Sequence, residues 1–209
     1  MPKHVLMVGG CEADFHNMWE AVPTVALLMD QLGYDVTISR DRERISKAGL
    51  QGADALLVYT TGGKLEPEPA AAFLEFVKAG GGVVGIHCAA DSFKENPEYI
   101  ETLGGAFITH PPQLDVQVEF VDREHPITQG LEDFTLRDEL YILDYDPARV
   151  HTLAVTYSHE GKLQPVAWTR EEGQGRIFYL SLGHHEASFV DERFRALLKR
   201  GLQWVLRDL

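Results

Sequence analysis

Gly81-Gly82-Val83-Val84-Gly85-Ile86-His87-Cys88-Ala89-Ala90-Asp91 is the stretch on which the reading of this chain turns. Glycines stop a preceding helix, and Val83, Val84 and Ile86 make the short apolar run of a buried central strand. The run ends in two reactive side chains, His87 and Cys88, followed by the small residues Ala89 and Ala90. Open parallel α/β sheets bind ligands outside the carboxyl ends of their strands. His87 and Cys88 are therefore expected where such a fold does its chemistry.

Working upstream, Pro67 and Pro69 open a helix whose apolar stripe is Ala70, Phe73, Leu74 and Val77. Before it, Ala53 to Thr61 reads as a strand stopped by Gly62-Gly63. His4 to Gly10 reads as the first strand, with Cys11 to His16 as the loop after it. Val25, Leu28, Met29 and Leu32 share one helical face, Gly33 ends that helix, and Val36 and Ile38 mark a second strand. Arg40 to Lys47 reads as a loop with a short helix. This order of strands and helices predicts a doubly wound parallel sheet.

Downstream the pattern changes. Pro97 to Leu103 predicts a short helix, and Leu114, Val116, Val118 and Phe120 alternate as in a strand. Phe134 to Tyr145 reads as loop-rich chain able to cover the sheet's carboxyl edge. Thr152 to Tyr157 predicts a strand, and Val166–Arg170 with Arg176–Ser181 predicts a hairpin. Gly183-His184-His185-Glu186 follows, and Phe194, Leu197, Leu198, Leu202 and Val205 line one face of a final helix. No repeat or flexible linker interrupts 1–209, so a single domain is expected.

Composition restricts the function classes. The chain has 209 residues, 44% hydrophobic and 24% charged, enough to build a core. Its net charge of −13 and lack of a basic cluster argue against nucleic acid or an anionic membrane as partner. No apolar run reaches the roughly 18 residues of a membrane span. The N-terminal residues enter a strand pattern without a signal-peptide h-region. Two cysteines, Cys11 and Cys88, make no disulfide framework, and a cytoplasmic location is expected. The absence of a Walker loop or a G-x-G-x-x-G turn after a strand argues against a nucleotide cofactor.

Several side chains are candidates for chemistry. Cys88 follows a buried strand as an elbow nucleophile does, yet the same position suits a small buried hydrophobe. His87 suits a general base, a metal ligand or a hydrogen-bonding group. His184 follows a strand and lands at the same edge if that strand joins the sheet. His16 and His110 lie in loops that can reach a shared pocket. Glu139 can orient a histidine, act as a base or bind a cation. Asp91 reads as a helix N-cap or a substrate-binding acid. Histidines with a carboxylate leave a divalent metal open, without the tight ligand spacing of a recognisable motif.

Taken together, the stretch around Gly85-Ile86-His87-Cys88, with Tyr99, Leu103-Gly104-Gly105-Ala106-Phe107 and Thr109-His110-Pro111, resembles the ThuA-like (trehalose utilization) family. The same holds for His125-Pro126-Ile127-Thr128, Asp138-Glu139-Leu140-Tyr141, Pro165-Val166-Ala167-Trp168 and the stretch Gly175 to His184. The resemblance implies a flavodoxin-like three-layer sandwich like that of class I glutamine amidotransferases, with a mostly parallel sheet. It also implies a small-molecule carbohydrate as ligand, in trehalose or related disaccharide metabolism; a homo-oligomer is compatible with such a fold. Against the amidotransferase pattern, His184-His185-Glu186 fits the C-terminal histidine motif. Aligning Gly85-Ile86, however, places His87 rather than Cys88 at the nucleophile position. That register favours a pocket of His87, His184 and Glu139 over a cysteine-dependent hydrolase.

Overall fold

The computed structural model describes residues 2–10 and 16–209. Cys11 and most of its predicted loop lie outside the described residues. The first half runs β1 His4–Gly9, α1 Met18–Leu32, β2 Asp35–Ser39, α2 Lys47–Leu50, β3 Ala55–Tyr59, α3 Pro67–Lys78 and β4 Gly82–Ile86. A 3₁₀ turn, His87–Asp91, follows β4. Then come α4 Pro97–Leu103, β5 Gly105–Thr109, β6 Leu114–Phe120, β7 Phe134–Asp138, β8 Ile142–Tyr145, β9 His151–Tyr157, β10 Leu163–Glu172, β11 Gly175–Leu180, α5 Glu186–Val190 and α6 Glu192–Val205.

Among the described residues, nine strands form one sheet in the order β2-β1-β3-β4-β11-β10-β9-β6-β7. The half from β2 to β11 is parallel, and the half from β11 to β7 is antiparallel. β5 and β8 pair separately as an antiparallel ribbon. The parallel half has the flavodoxin-like order, in which the chain turns away from itself on either side of β1 and opens a crevice between β1 and β3. β11 completes it: Leu180 lies opposite Ile86, so the chain leaves β4 and β11 side by side.

Alternation along the strands builds a core on each face. In β1, Val5 and Met7 pack with α1, α5 and α6, while Leu6 and Val8 pack with α2, α3 and α4. The strand is buried on both sides, as a central parallel strand must be. Local signals set the helix ends: Asn17 accepts the Trp19 N–H at the start of α1, Gly33 closes it in the left-handed conformation, and Asp191 caps α6 through Arg193 and Phe194 N–H. The Phe134–Tyr145 stretch is not loop but two short strands in different sheets. Its alternation spans only Phe134, Leu136 and Asp138 on the buried side, too brief to read as a strand beforehand. No helix among the described residues is long and apolar enough to cross a membrane.

α6 approaches the sheet closely at Gly201, where an added methyl would overlap the buried Phe178 ring. The ring is enclosed and has nowhere to move, so overpacking outweighs the helix-propensity gain of alanine. Gly201→Ala is expected to lower stability by about 1–3 kcal/mol, read as a lower urea midpoint at unchanged slope.

Candidate functional site

Four loops at one edge of the sheet and one from its far end supply the site. His16 follows β1 and Thr61 follows β3; His87 follows β4, His184 follows β11, and Glu139 follows β7. One carboxylate or imidazole atom from each of His16, His87, Glu139 and His184 lies within 4.8 Å of all the others. The group is sequestered: His16, His87 and Glu139 are buried and His184 is half-buried.

His184 Nδ1 is the common neighbour. It is 3.1 Å from His16 Nε2, 3.3 Å from His87 Nε2 and 3.1 Å from Glu139 Oε2. Glu139 Oε2 lies 3.6 Å from His87 Nε2 as well. The outward ring nitrogens of two histidines are tied back to the scaffold. His87 Nδ1 donates to the Ser181 carbonyl at 2.7 Å; a ring with its single proton there presents Nε2 inward as a lone pair. His16 Nδ1 meets Thr61 Oγ1 at 2.7 Å. Tyr141 stacks on His87 with ring centres 3.9 Å apart, and its hydroxyl is 3.5 Å from His16 Nε2.

Backbone conformation aims two of these rings. His16 (φ +56°) and His87 (φ +44°) both adopt the left-handed region, which is uncommon outside glycine and is held only when surrounding contacts enforce it. For His87 the contacts are the Ser181 bond and the Tyr179 hydroxyl, which donates to the His87 carbonyl at 2.9 Å. The sharp turn that an elbow nucleophile would occupy thus belongs to His87 and not to Cys88.

Asp138 joins the far strand to the loop after β11. Its wholly buried carboxylate accepts Gly183 N–H at 2.7 Å and Ser188 O–H at 2.6 Å on one oxygen. The other oxygen accepts His184 N–H at 3.1 Å and Glu139 N–H at 2.7 Å. One side chain therefore positions both His184 and Glu139. Tyr59 adds a second tie, donating to the Gly183 carbonyl at 2.9 Å.

The electrostatics are those of an anion among imidazoles. Burial works against the Glu139 carboxylate, but its contacts with the imidazoles, His184 first and His87 after it, outweigh burial and hold the acid well below the usual carboxylate range. Burial pulls His184 down while the Glu139 hydrogen bond and charge push it up, and the balance is upward. His16 is lowered to about 3, first by burial and then by its two imidazole neighbours, so it is neutral at pH 7. The set holds a carboxylate kept ionised, an imidazole kept neutral and an imidazole with raised proton affinity in one place, which suits proton transfer or cation binding.

The other sequence candidates sit differently. His110 is at the rim, half-exposed, with Nδ1 3.6 Å from Glu139 Oε1 and donating to the Pro111 carbonyl at 2.8 Å. Asp91 ends the 3₁₀ turn and pairs with Lys94 at 2.6 Å, so it caps no helix. Cys88 is wholly buried, and burial pushes its thiol far from forming a thiolate. Asp138 and Tyr141 enter the sequence reading only within the family-like stretch Asp138–Tyr141, and Tyr59 and Thr61 only within a strand, with no role for any of them; the alternation Phe134, Leu136, Asp138 is too short to mark Asp138 as inward-facing.

Two outcomes follow. Asp138→Ala leaves several buried donors without an acceptor and is expected to cost about 3 kcal/mol of stability, whereas His110→Ala at the rim stays within about 0.5 kcal/mol; denaturant titration of both variants reads the difference. In the folded protein at pH 7 the Cys88 peptide is expected to escape iodoacetamide and to label only after unfolding, as mapped by mass spectrometry.

The architecture is shared with solved structures. A ThuA-like protein from Bacteroides uniformis ATCC 8492 superposes with a TM-score of 0.83 at 24% identity, over 98% of this chain and 91% of that one. A ThuA-like protein from Parabacteroides merdae ATCC 43184 gives 0.85 at 22% identity, over 100% and 91%. The fold also recurs within a longer chain, a β-galactosidase from Rahnella sp. R3, with a TM-score of 0.69 at 15% identity over 99% of this chain and 31% of that one. No curated protein sequence matches the chain. The sequence model for ThuA, described as trehalose utilisation, matches residues 4–205. The chain belongs to the ThuA family.

Proposed function

We propose that this protein binds or transforms a carbohydrate of the trehalose or related disaccharide class in the pocket of His16, His87, Glu139 and His184. Membership of a family described as trehalose utilisation supplies the substrate class. The observation that carries the reading is the convergence of three imidazoles and one carboxylate within 4.8 Å at the carboxyl edge of the sheet. Sugar hydroxyls both donate and accept hydrogen bonds, and a site built from a carboxylate with imidazoles in different protonation states offers both partners. The same groups can take a proton from a hydroxyl or an adjacent carbon and return it elsewhere. Glu139 serves as the base or orients His184, His184 carries the proton, and His87 and His16 hold the ligand. His110, at the rim, and Asp91 contact the part of the sugar farther out. Cys88 takes no part, because burial pushes its thiol up, away from the nucleophilic thiolate.

Isothermal titration against trehalose, related disaccharides and their oxidised forms tests the proposal. At least one is expected to bind the wild type, with His87→Ala and Glu139→Gln each weakening binding at least tenfold. Absence of binding by any of these sugars at millimolar concentration, or equal binding by both variants, would contradict it.

A further inference from the structure

We infer that His16, His87, Glu139 and His184 form the binding site of one first-row divalent transition-metal ion. The inference concerns the same four side chains as the sugar reading and gives them the role of metal ligands in place of bare acid–base groups; ion retention is read separately from sugar binding.

Donor type comes first. Three imidazole nitrogens and a carboxylate oxygen suit zinc, manganese or iron(II), whereas magnesium and calcium take oxygen donors. Spacing comes next. Ligands about 2.0–2.1 Å from a tetrahedral ion lie roughly 3.3–3.4 Å from one another. Here four of the six separations are 3.1, 3.1, 3.3 and 3.6 Å, and all six fall within 4.8 Å, so a small inward shift of the rings brings the set to that spacing.

The outer contacts have the form that metal-binding histidines use. A ligating imidazole commonly ties its second nitrogen to a carbonyl, carboxylate or other polar group, which fixes the tautomer and turns a lone pair toward the ion. His87 does this through the Ser181 carbonyl, and His16 is tied to Thr61 Oγ1. Glu139 belongs to the same arrangement, because Asp138 accepts its backbone N–H and that of His184 together.

Hydrogen-bond chemistry inside the cluster completes the case. Glu139 Oε2 and His87 Nε2 both face His184 Nδ1, which has at most one proton to give. A single N–H satisfies one of these acceptors well; an ion at their centre satisfies all four donor atoms at once. A second histidine group, His125, His151 and Asp122, lacks this form. There Asp122 binds His151 Nε2 at 2.7 Å, and His125 Nδ1 accepts the Ile127 N–H.

The test uses the full chain without an affinity tag. Protein stripped with a chelator is incubated separately with zinc, manganese, iron(II) under argon, or magnesium, freed of excess ion, and assayed by elemental analysis and thermal melting. About one equivalent of at least one transition ion is expected to stay bound and to raise Tm. His184→Ala and the near-isosteric Glu139→Gln are each expected to weaken retention at least tenfold while keeping the far-UV circular dichroism of the wild type. His151→Ala is expected to retain the ion normally. Retention below a tenth of an equivalent for every transition ion overturns the inference. So does retention that survives both cluster variants, or a preference for magnesium. Should Glu139→Gln fail to fold, His16→Gln replaces it with the same expectation. A sugar titration on the metal-free protein keeps failure of this inference distinct from failure of the sugar reading.

Discussion

The buried carboxylate of Asp138 is the interaction on which the site depends. It sits at the end of β7, the outermost strand of the antiparallel half, and accepts the N–H groups of Gly183 and His184 from the loop after β11. In the sheet order, β10, β9 and β6 separate those two strands. This carboxylate ties the end of β7 to the loop after β11, and so sets Glu139 beside His184. A buried charge without such partners would be strongly disfavoured, so the hydrogen bonds and the position of Glu139 require one another.

The parallel half contributes the rest of the cluster by topology alone. Strands in the flavodoxin-like order deliver their carboxyl ends to a common edge, and this chain places a histidine after three of them, β1, β4 and β11. The left-handed backbone at His16 and His87 then turns two rings inward. Strain of this kind persists where surrounding contacts over-determine a conformation. The bonds from His87 to Ser181, from Tyr179 to the His87 carbonyl and between His16 and Thr61 fill that role.

Much of this could be read from the residues. Apolar runs bounded by glycine located β1, β3, β4 and β11, and with them the edge carrying His16, His87 and His184. The register of Gly85-Ile86 pointed to His87 rather than Cys88, and His87 has the left-handed backbone. Glu139 stood out for its anchored neighbours, although its route into the site did not, because pairing between strands distant in sequence leaves no local mark. Asp138 escaped notice for a related reason: an aspartate in a short alternating stretch reads as solvated until its donors, some 45 residues away, are known. Of the two readings open for Cys88, the packing is that of the small buried hydrophobe.

The central claim is that three imidazoles turn their lone pairs and protons toward one point. Long-range proton–nitrogen NMR of the histidine rings tests it most directly. His87 is predicted to carry its proton on Nδ1 with Nε2 bare, and the ring signals of His16, His87 and His184 are predicted to shift together on one equivalent of zinc while those of His151 stay still. A His87 ring protonated on Nε2, or a response confined to one of the three rings, would contradict the account.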